Sequence, residues 1–188
     1  MNGGKLPRTL RLDASDTFVF ERAAEPGEWA VTGSFMFLDR DPSALAGKAR
    51  AAFRSGFVGV RSLGFSTLVV VSEASDAEFA EAVETFARRI REDLGAPDDE
   101  TARAAAIEEL SAAASLCGPE VNSVVAMHRT FERGEIREQF RTLRPREPGL
   151  AGTDRLHAGA RAFHFVETDE DEPVEEVDLV RLIGRSRP

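Results

Sequence analysis

Cysteine, tyrosine and tryptophan are scarce in this sequence of 188 residues, which has one cysteine, no tyrosine and one tryptophan. The single cysteine, Cys117, cannot form an internal disulfide, which excludes a disulfide-stapled secreted scaffold and favours a reducing compartment. Among the large aromatics only Trp29 carries a polar group that can bond to a ligand. Trp29 is therefore a candidate binding residue, although a large aromatic side chain at the start of a strand also fills a core.

Positively charged residues are outnumbered by acidic ones, and long apolar runs are absent from the sequence. The chain has 24 Lys and Arg against 33 Asp and Glu, a formal net charge of −9. Such a protein is repelled by phosphate backbones and anionic lipid, so we expect no nucleic-acid or membrane partner. No run approaches the roughly 18 apolar residues of a spanning helix, and the first residues, MNGGKLPRTLRLD, lack the apolar core of a signal peptide. These features predict a cytoplasmic protein.

The common catalytic and cofactor motifs are absent as well. The sequence contains no Gly-Lys-Ser/Thr phosphate loop, no GxGxxG after a strand and no GxSxG, and its histidines and cysteine lack metal-ligand spacing. We therefore predict no catalytic residue, no metal and no cofactor. The nearest approach to an anion site is the glycine-spaced segment 56–64, where Arg61 is a candidate, although a flexible connector explains those glycines more simply.

Two histidines are further candidates. His128 and His164 both fall on predicted strands, and if those strands pair, the two imidazoles approach each other. The absence of HxH or HxxxH spacing favours ordinary surface or core positions for both.

Runs rich in β-branched and aromatic residues predict a series of short strands. A polar turn, residues 13–16, separates the first two and predicts a hairpin. In the third, four consecutive apolar residues, Phe35 to Leu38, indicate burial of both faces. The predicted strands cover residues 8–12, 17–21, 28–38, 65–71, 122–131, 136–143, 161–167 and 177–183.

Three helices are predicted between the strands. Asp41 and Pro42 form a start signal for a helix that ends at Gly56. The sequence Ser75-Asp-Ala-Glu78 fits a capping box, and the apolar residues from Phe79 to Leu94 repeat at helical spacing. A third helix starts at Asp98 or Asp99 and should form a hairpin with the second.

This order of elements predicts one α+β domain over residues 1–184 with a disordered tail at 185–188. The domain is a mostly antiparallel sheet covered by about three helices, and the strand–helix–strand unit of residues 28–71 leaves room for one parallel pair. The segment 144–159 is the best candidate for a mobile loop. The basic loop at 141–155 and an acidic stretch at 167–178 either pair with each other or face a partner of opposite charge.

Three segments resemble those of a bacterial domain family of unknown function: TFVFERAAEPGEWAVTGSFMF at 17–37, AAFRSGFVGVRSLGFSTLV at 51–69 and VAMHRTFERGEIREQFRTL at 125–143. The resemblance covers nearly the whole chain apart from the tail and part of the 144–159 loop. It brings no catalytic or binding residue with it. Its members occur near accessory genes for molybdenum-dependent oxidoreductases, which implies a helper role in the maturation of such enzymes.

Two functions remain open at this point. The first is a non-catalytic accessory protein that binds another protein, favoured by the missing motifs and the charged loops. The second is a small-molecule-binding protein or enzyme with a pocket between the sheet and the 144–159 loop, using Arg61, His128 or His164. The oligomeric state does not follow from the sequence.

Overall fold

Two antiparallel sheets and four α-helices organise the part of the chain described by the computed structural model, residues 4–145 and 165–167. The predicted α+β class is confirmed. The strands are β1 (Gly4–Leu10), β2 (Ala30–Val31), β3 (Phe57–Gly59), β4 (Phe65–Ser66), β5 (Leu68–Ala74), β6 (Val124–Glu132), β7 (Glu135–Pro145) and β8 (Phe165–Glu167). The helices are α1 (Ser15–Val19), α2 (Gly47–Ser55), α3 (Asp76–Asp93) and α4 (Asp99–Ser115), with short 3-10 turns at Ser34–Phe37 and Pro42–Ala44.

Among the described residues the larger sheet has five strands in the order β1-β5-β6-β7-β8, and each neighbouring pair is antiparallel. Its buried face is set by period-two alternation, with Val69 opposite Val125 and Met127 opposite Phe140. β7 runs to Pro145, two residues into the loop expected from 144. The rest of that loop, the acidic stretch after Glu167, the strand expected at 177–183 and the 185–188 tail lie outside the described residues.

The smaller sheet, ordered β2-β3-β4, is buried on both faces of its first two strands. Val31 and Val58 belong to the apolar cluster that includes residues of α3 and α4. Their neighbours Ala30 and Phe57 belong to the cluster of the larger sheet. Because successive side chains of a strand point to opposite faces, consecutive apolar residues here mean a strand packed between two layers.

The α3–α4 hairpin matches the sequence prediction. Ser75 accepts a hydrogen bond from the Glu78 amide, and the Glu78 carboxylate accepts one from the Ser75 amide, which completes the capping box. Asp98 caps α4 by accepting from Thr101 N at 2.7 Å. The apolar face of α3 is buried against α4 and the smaller sheet, with Phe86 at 0% exposure.

The predicted second strand at 17–21, and therefore the N-terminal hairpin, is wrong, because residues Ser15–Val19 form α1. Local side-chain bonds favour the turn: Asp13 accepts from Ser15 N at 2.7 Å, and Thr17 Oγ1 donates to Ala14 O at 2.6 Å. Phe18 is 74% exposed and Phe20 only 1%. In a strand these two rings would lie on the same face and be buried to a similar extent. The local hydrogen bonds and the packing of Phe20 therefore outweigh the β-propensity of TFVF.

The long strand predicted at 28–38 is also wrong beyond Val31. Gly33 adopts a left-handed conformation with φ of 82°, and a Cβ there would lie 2.3 Å from Val58 Cγ2, so the chain turns where only glycine fits. Residues Ser34–Phe37 then form a 3-10 turn, which excludes the parallel pair with residues 65–71. The turn leaves Leu38 72% exposed, although its apolar neighbours predicted burial.

The helix expected from Asp41 begins later. Asp41 does act as a cap, accepting from Ser43 N at 2.9 Å, but the cap serves the 3-10 turn at Pro42–Ala44. Leu45 and Ala46 are extended, and Gly47 with φ of 53° starts α2. The connector expected at 56–64 contains β3 and is largely buried.

Candidate functional site

A buried arginine lies where β6, α2 and the segment after β2 meet. Arg129 is 1% exposed. Its guanidinium donates from Nη1 to Phe53 O at 2.8 Å and from Nη2 to Thr32 O at 2.6 Å. Phe37 and Phe53 flank it, with their ring centroids 5.5 and 5.8 Å from Cζ. A buried charge is tolerated only when it is bonded and neutralised, and these carbonyls supply part of that compensation.

Glu138, opposite Arg129 on β7, supplies the negative charge. Its Oε1 accepts from Arg129 Nε at 2.9 Å and lies 2.8 Å from Nη2. Burial lowers the pKa of Arg129, while Glu138 and Glu109 oppose that change. For Glu109, on α4, burial and then repulsion from Glu138 and Glu108 raise the pKa to about 7, with Arg129 acting in the opposite direction. One buried cation therefore serves two carboxylates, and one of these is poised to titrate near neutrality.

Glu138 also lines an open groove of about 780 Å³, which we call the Leu38 groove. Its apolar wall includes Leu38 and Phe131, which are 72% and 37% exposed. Among the described lining residues, the charged ones are three acids, Asp41, Glu135 and Glu138, and one base, Arg40. The lining residues are Ser34, Phe37, Leu38, Arg40, Asp41, Pro42, Phe131, Gly134, Glu135, Ile136 and Glu138.

A second buried charge, Glu28, organises the turn after β3. Its Oε2 accepts from Arg61 N at 2.8 Å and Ser62 N at 2.9 Å. Its Oε1 accepts from Glu25 N at 2.8 Å and from the Ser62 hydroxyl. The glycine-rich segment considered as an anion site thus does hold an anion, the carboxylate of Glu28 itself. A Cβ on Gly59 would lie 2.3 Å from the Glu28 carboxyl carbon, so glycine there gives the carboxylate its room.

Two of the predicted candidates lie in one shallow groove. Trp29 and Arg61 both line a groove of about 440 Å³ beside α3. The guanidinium of Arg8 stacks on the Trp29 ring, 3.4 Å from the ring centroid, and also donates to Gly27 O at 2.9 Å. Trp29 thus has one ring face covered by Arg8 while it packs against the helical core.

The other candidates are placed elsewhere. His128 alternates with the buried Met127 and Arg129, so it lies on the opposite face of β6, with Gln139 as its neighbour on β7. It does not line the groove of Trp29 and Arg61. His164 and most of the 144–159 loop lie outside the described residues. Cys117 is buried and donates from Sγ to Ala113 O at 3.6 Å, and burial raises the pKa of its thiol to about 11, which disfavours the thiolate.

The Arg129 cluster was missed by sequence reasoning, although a signal existed. Val125, Met127 and Arg129 share one parity of a strand whose apolar residues predict a buried face. A charged residue at such a position needs a buried partner. The sequence analysis instead named His128, which lies on the opposite face of the same strand, as the candidate. Within the described ranges, no group of three or more His, Cys, Asp or Glu side chains is arranged to hold a metal.

A family described as "Family of unknown function (DUF6505)" matches residues 3–170. The chain belongs to the DUF6505 family. This confirms the predicted relationship to a family of unknown function. No curated protein and no solved structure matches the chain. No helix in the described part of this DUF6505 member combines the length and hydropathy needed to cross a membrane.

Proposed function

We propose that this protein is a cytoplasmic accessory protein that binds another protein through the Leu38 groove. The observation that carries the proposal is the position of Leu38. Leu38 is this exposed directly after a short 3-10 turn and lines the same groove as the partly exposed Phe131, so the two side chains form an apolar wall facing solvent. Exposed apolar surface framed by charged groups is typical of binding sites for other proteins.

The charges of the groove specify the chemistry of the partner. Glu138 is already paired with Arg129, so Asp41 and Glu135 remain against Arg40 among the described lining residues, and the balance is still acidic. Both contacts that Glu138 makes with Arg129 use Oε1, and within the described residues no hydrogen bond reaches Oε2. The occupant that fits is a segment of another protein with apolar side chains for Leu38 and Phe131 and a lysine or arginine for Glu138 or Glu135.

The finer proposal concerns the identity of that partner. The family resemblance implies a place among the maturation factors of molybdenum-dependent oxidoreductases. We therefore expect the segment to belong to such an oxidoreductase or to one of its maturation proteins. Deletion of the gene in the source cells should then lower the activity of molybdenum-dependent oxidoreductases, and re-expression of the wild-type protein should restore it. Restoration by a Leu38→Asp variant would argue against the groove as the docking site.

Photo-crosslinking in the source cells tests the groove directly. The photo-reactive amino acid benzoylphenylalanine replaces Leu38 in one strain and Phe18 in a control strain. Phe18 is a suitable control because it is equally exposed but does not line the groove. Mass spectrometry of the adducts then identifies the crosslinked segment. We expect an adduct at Leu38, absent at Phe18, with a segment of another protein that carries apolar and basic residues, and we expect Glu135→Lys to reduce its yield.

The same experiment reports the other possible occupants. A crosslink from Leu38 into residues 146–188 would show that the groove is covered by this chain itself. A crosslink to a second copy would show self-association. Either result, or the same adducts at Leu38 and Phe18, would overturn the proposal.

A further inference from the structure

A separate cavity of about 370 Å³ lies on the other side of the segment that carries Phe37. Its floor is apolar and includes Met36, Phe37, Leu63 and Phe65. The rings of Phe37 and Phe65 have centroids 6.0 Å apart with an angle of 35° between their planes. We call this space the Phe65 cavity. Its volume lies within the ~300–1,000 Å³ of typical small-molecule sites.

Cations outnumber the available carboxylates at the mouth of the cavity. Arg22, Arg40 and Lys48 line it, together with Glu21 and Asp93. Asp93 is already bound to Arg89 at 2.9 Å. The three cations form no ion pair with any side chain in the described ranges, so Glu21 is the one carboxylate left to balance them there.

This local excess of positive charge contrasts with the rest of the molecule. The chain has a net charge of −9, so long-range electrostatics repel anions. An anion that binds here must therefore be held by short-range contacts. Arginine side chains suit a carboxylate because the guanidinium can donate two parallel hydrogen bonds to its two oxygens. The floor beneath them, built partly from phenylalanine rings, suits a flat apolar body.

We propose that the Phe65 cavity binds a small aromatic carboxylate, with its rings against the partly exposed Met36 and Phe65 and its carboxylate at Arg22, Arg40 and Lys48. This site is distinct from the docking site of the proposed function. The two share Phe37 and Arg40, which line both spaces. A ligand in the cavity would therefore contact the segment that forms one wall of the Leu38 groove.

Isothermal titration calorimetry of the full-length protein with 2-naphthoate tests the site. The matched probe is 2-naphthamide, which has the same rings without the charge. We expect 2-naphthoate to bind and 2-naphthamide to bind at least about tenfold more weakly, since one lost ion contact is worth roughly that factor. Equal affinity for the two probes, or no heat from 2-naphthoate up to its solubility limit, would overturn the proposal.

Two pairs of variants locate the binding. Lys48→Gln removes a lining cation of α2, whereas Arg50→Gln removes an exposed cation of the same helix that does not line the cavity. We expect about a fivefold loss of 2-naphthoate affinity for the first and less than about twofold for the second. Ala49→Leu should block the cavity, and Ala51→Leu, two residues away and outside the lining, should not.

The melting temperature of each variant, measured alongside, shows whether the fold is retained. A folded Ala49→Leu protein that binds 2-naphthoate as wild type does would place the probe elsewhere and overturn the assignment. Equal losses of 2-naphthoate affinity in Lys48→Gln and Arg50→Gln would show that only the general surface charge matters. That result would also overturn the assignment. Neither substitution changes a residue of the Leu38 groove, so failure here leaves the docking proposal intact.

Discussion

Glu28 and Arg129 are both buried charged side chains, but the protein compensates their charges in different ways. Glu28 accepts four hydrogen bonds from neutral donors, three backbone amides and the Ser62 hydroxyl. Arg129 donates to two backbone carbonyls and pairs with a carboxylate, Glu138. The first charge is spread over local dipoles, whereas the second is neutralised by an ion.

The difference has consequences for what each site can do. In the described part of the chain, the partners of Glu28 lie in the turns before β2 and after β3, so the carboxylate fixes one local geometry. Arg129 ties β6 to α2, to the segment after β2 and to β7, where Glu138 faces the Leu38 groove. Glu109 adds a second carboxylate to that cluster. A charge satisfied by dipoles is structural, whereas an ionic cluster with surplus carboxylate responds to pH and to a partner's charge.

The largest expected effect follows from removing the cation. Arg129→Met replaces the charged side chain with an unbranched apolar one. The change leaves Glu138 without its ion partner and the carbonyls of Thr32 and Phe53 without their donor. Breaking a buried ion pair from one side typically costs about 3–5 kcal/mol of unfolding free energy. Urea denaturation followed by circular dichroism measures it.

The neighbouring residue provides the matched control. His128 precedes Arg129 on β6 but lies on the opposite face of the sheet. We expect His128→Ala to change the unfolding free energy by less than about 0.5 kcal/mol, as for a substitution away from buried contacts. Similar urea midpoints for the two variants would show that the guanidinium is not the buried anchor of this region.

A smaller loss of unfolding free energy is expected at Glu28, whose charge is compensated by neutral hydrogen-bond donors. In Glu28→Gln, one carboxylate oxygen becomes an NH2 group, and both oxygen positions already face donors. A donor would then point at a donor in a buried turn, at a cost of about 2–3 kcal/mol. Glu25→Gln, an exposed change in the same turn, is the control, and thermal and urea unfolding measure both. If Glu28→Gln unfolds at the same urea concentration and temperature as wild type, these amides do not need an acceptor at both oxygen positions, and the prediction is contradicted.

Sequence reasoning succeeded where local signals and packing agree. The capping box at Ser75 and the spacing from Phe79 to Leu94 gave α3 because capping and amphipathic period favour the same helix. It failed at residues 17–21 and 34–38, where β-propensity favoured strands. There Gly33 and the Asp13–Thr17 turn decide the structure. At Gly33 the deciding contact is with Val58, which is distant in sequence. The bonds of the Asp13–Thr17 turn are local, but they compete with a β-propensity that composition alone ranks higher.

The sites were harder to predict than the fold for the same reason. Arg129 could have been identified from its parity with Val125 and Met127, but its partners Thr32 and Phe53 are 97 and 76 residues away in sequence. The exposure of Leu38 follows from the turn at Gly33, so an error in the fold concealed the groove. Trp29 and Arg61 do share a groove, although nothing in their spacing predicted it.

The smallest expected effect is a change of stability with pH, and it comes from Glu109, the second carboxylate of the Arg129 cluster. Burial and repulsion from Glu138 and Glu108 raise the pKa of Glu109 from 4.5 to about 7, against the attraction of Arg129. Between these values the folded protein holds a proton that the unfolded chain has released. Its contribution to stability is therefore complete below pH 4.5 and is lost as the pH rises toward 7.

After allowance for partial exposure, that loss should amount to about 1–2 kcal/mol. Urea unfolding at pH 5 and at pH 7.5 measures the change, and Glu109→Gln should remove it because the amide does not titrate. The exposed Glu100→Gln on the same helix is the control, because Glu100 is not among the groups that raise the pKa of Glu109, and it should keep the slope. Hydrogen-bonded carboxylates with lowered pKa, such as Asp98, titrate below this window and cancel in the difference between variants. An unchanged slope in Glu109→Gln would mean that Glu109 does not make the Arg129 cluster sensitive to pH, and the contrast between the two buried charges would then be one of geometry alone.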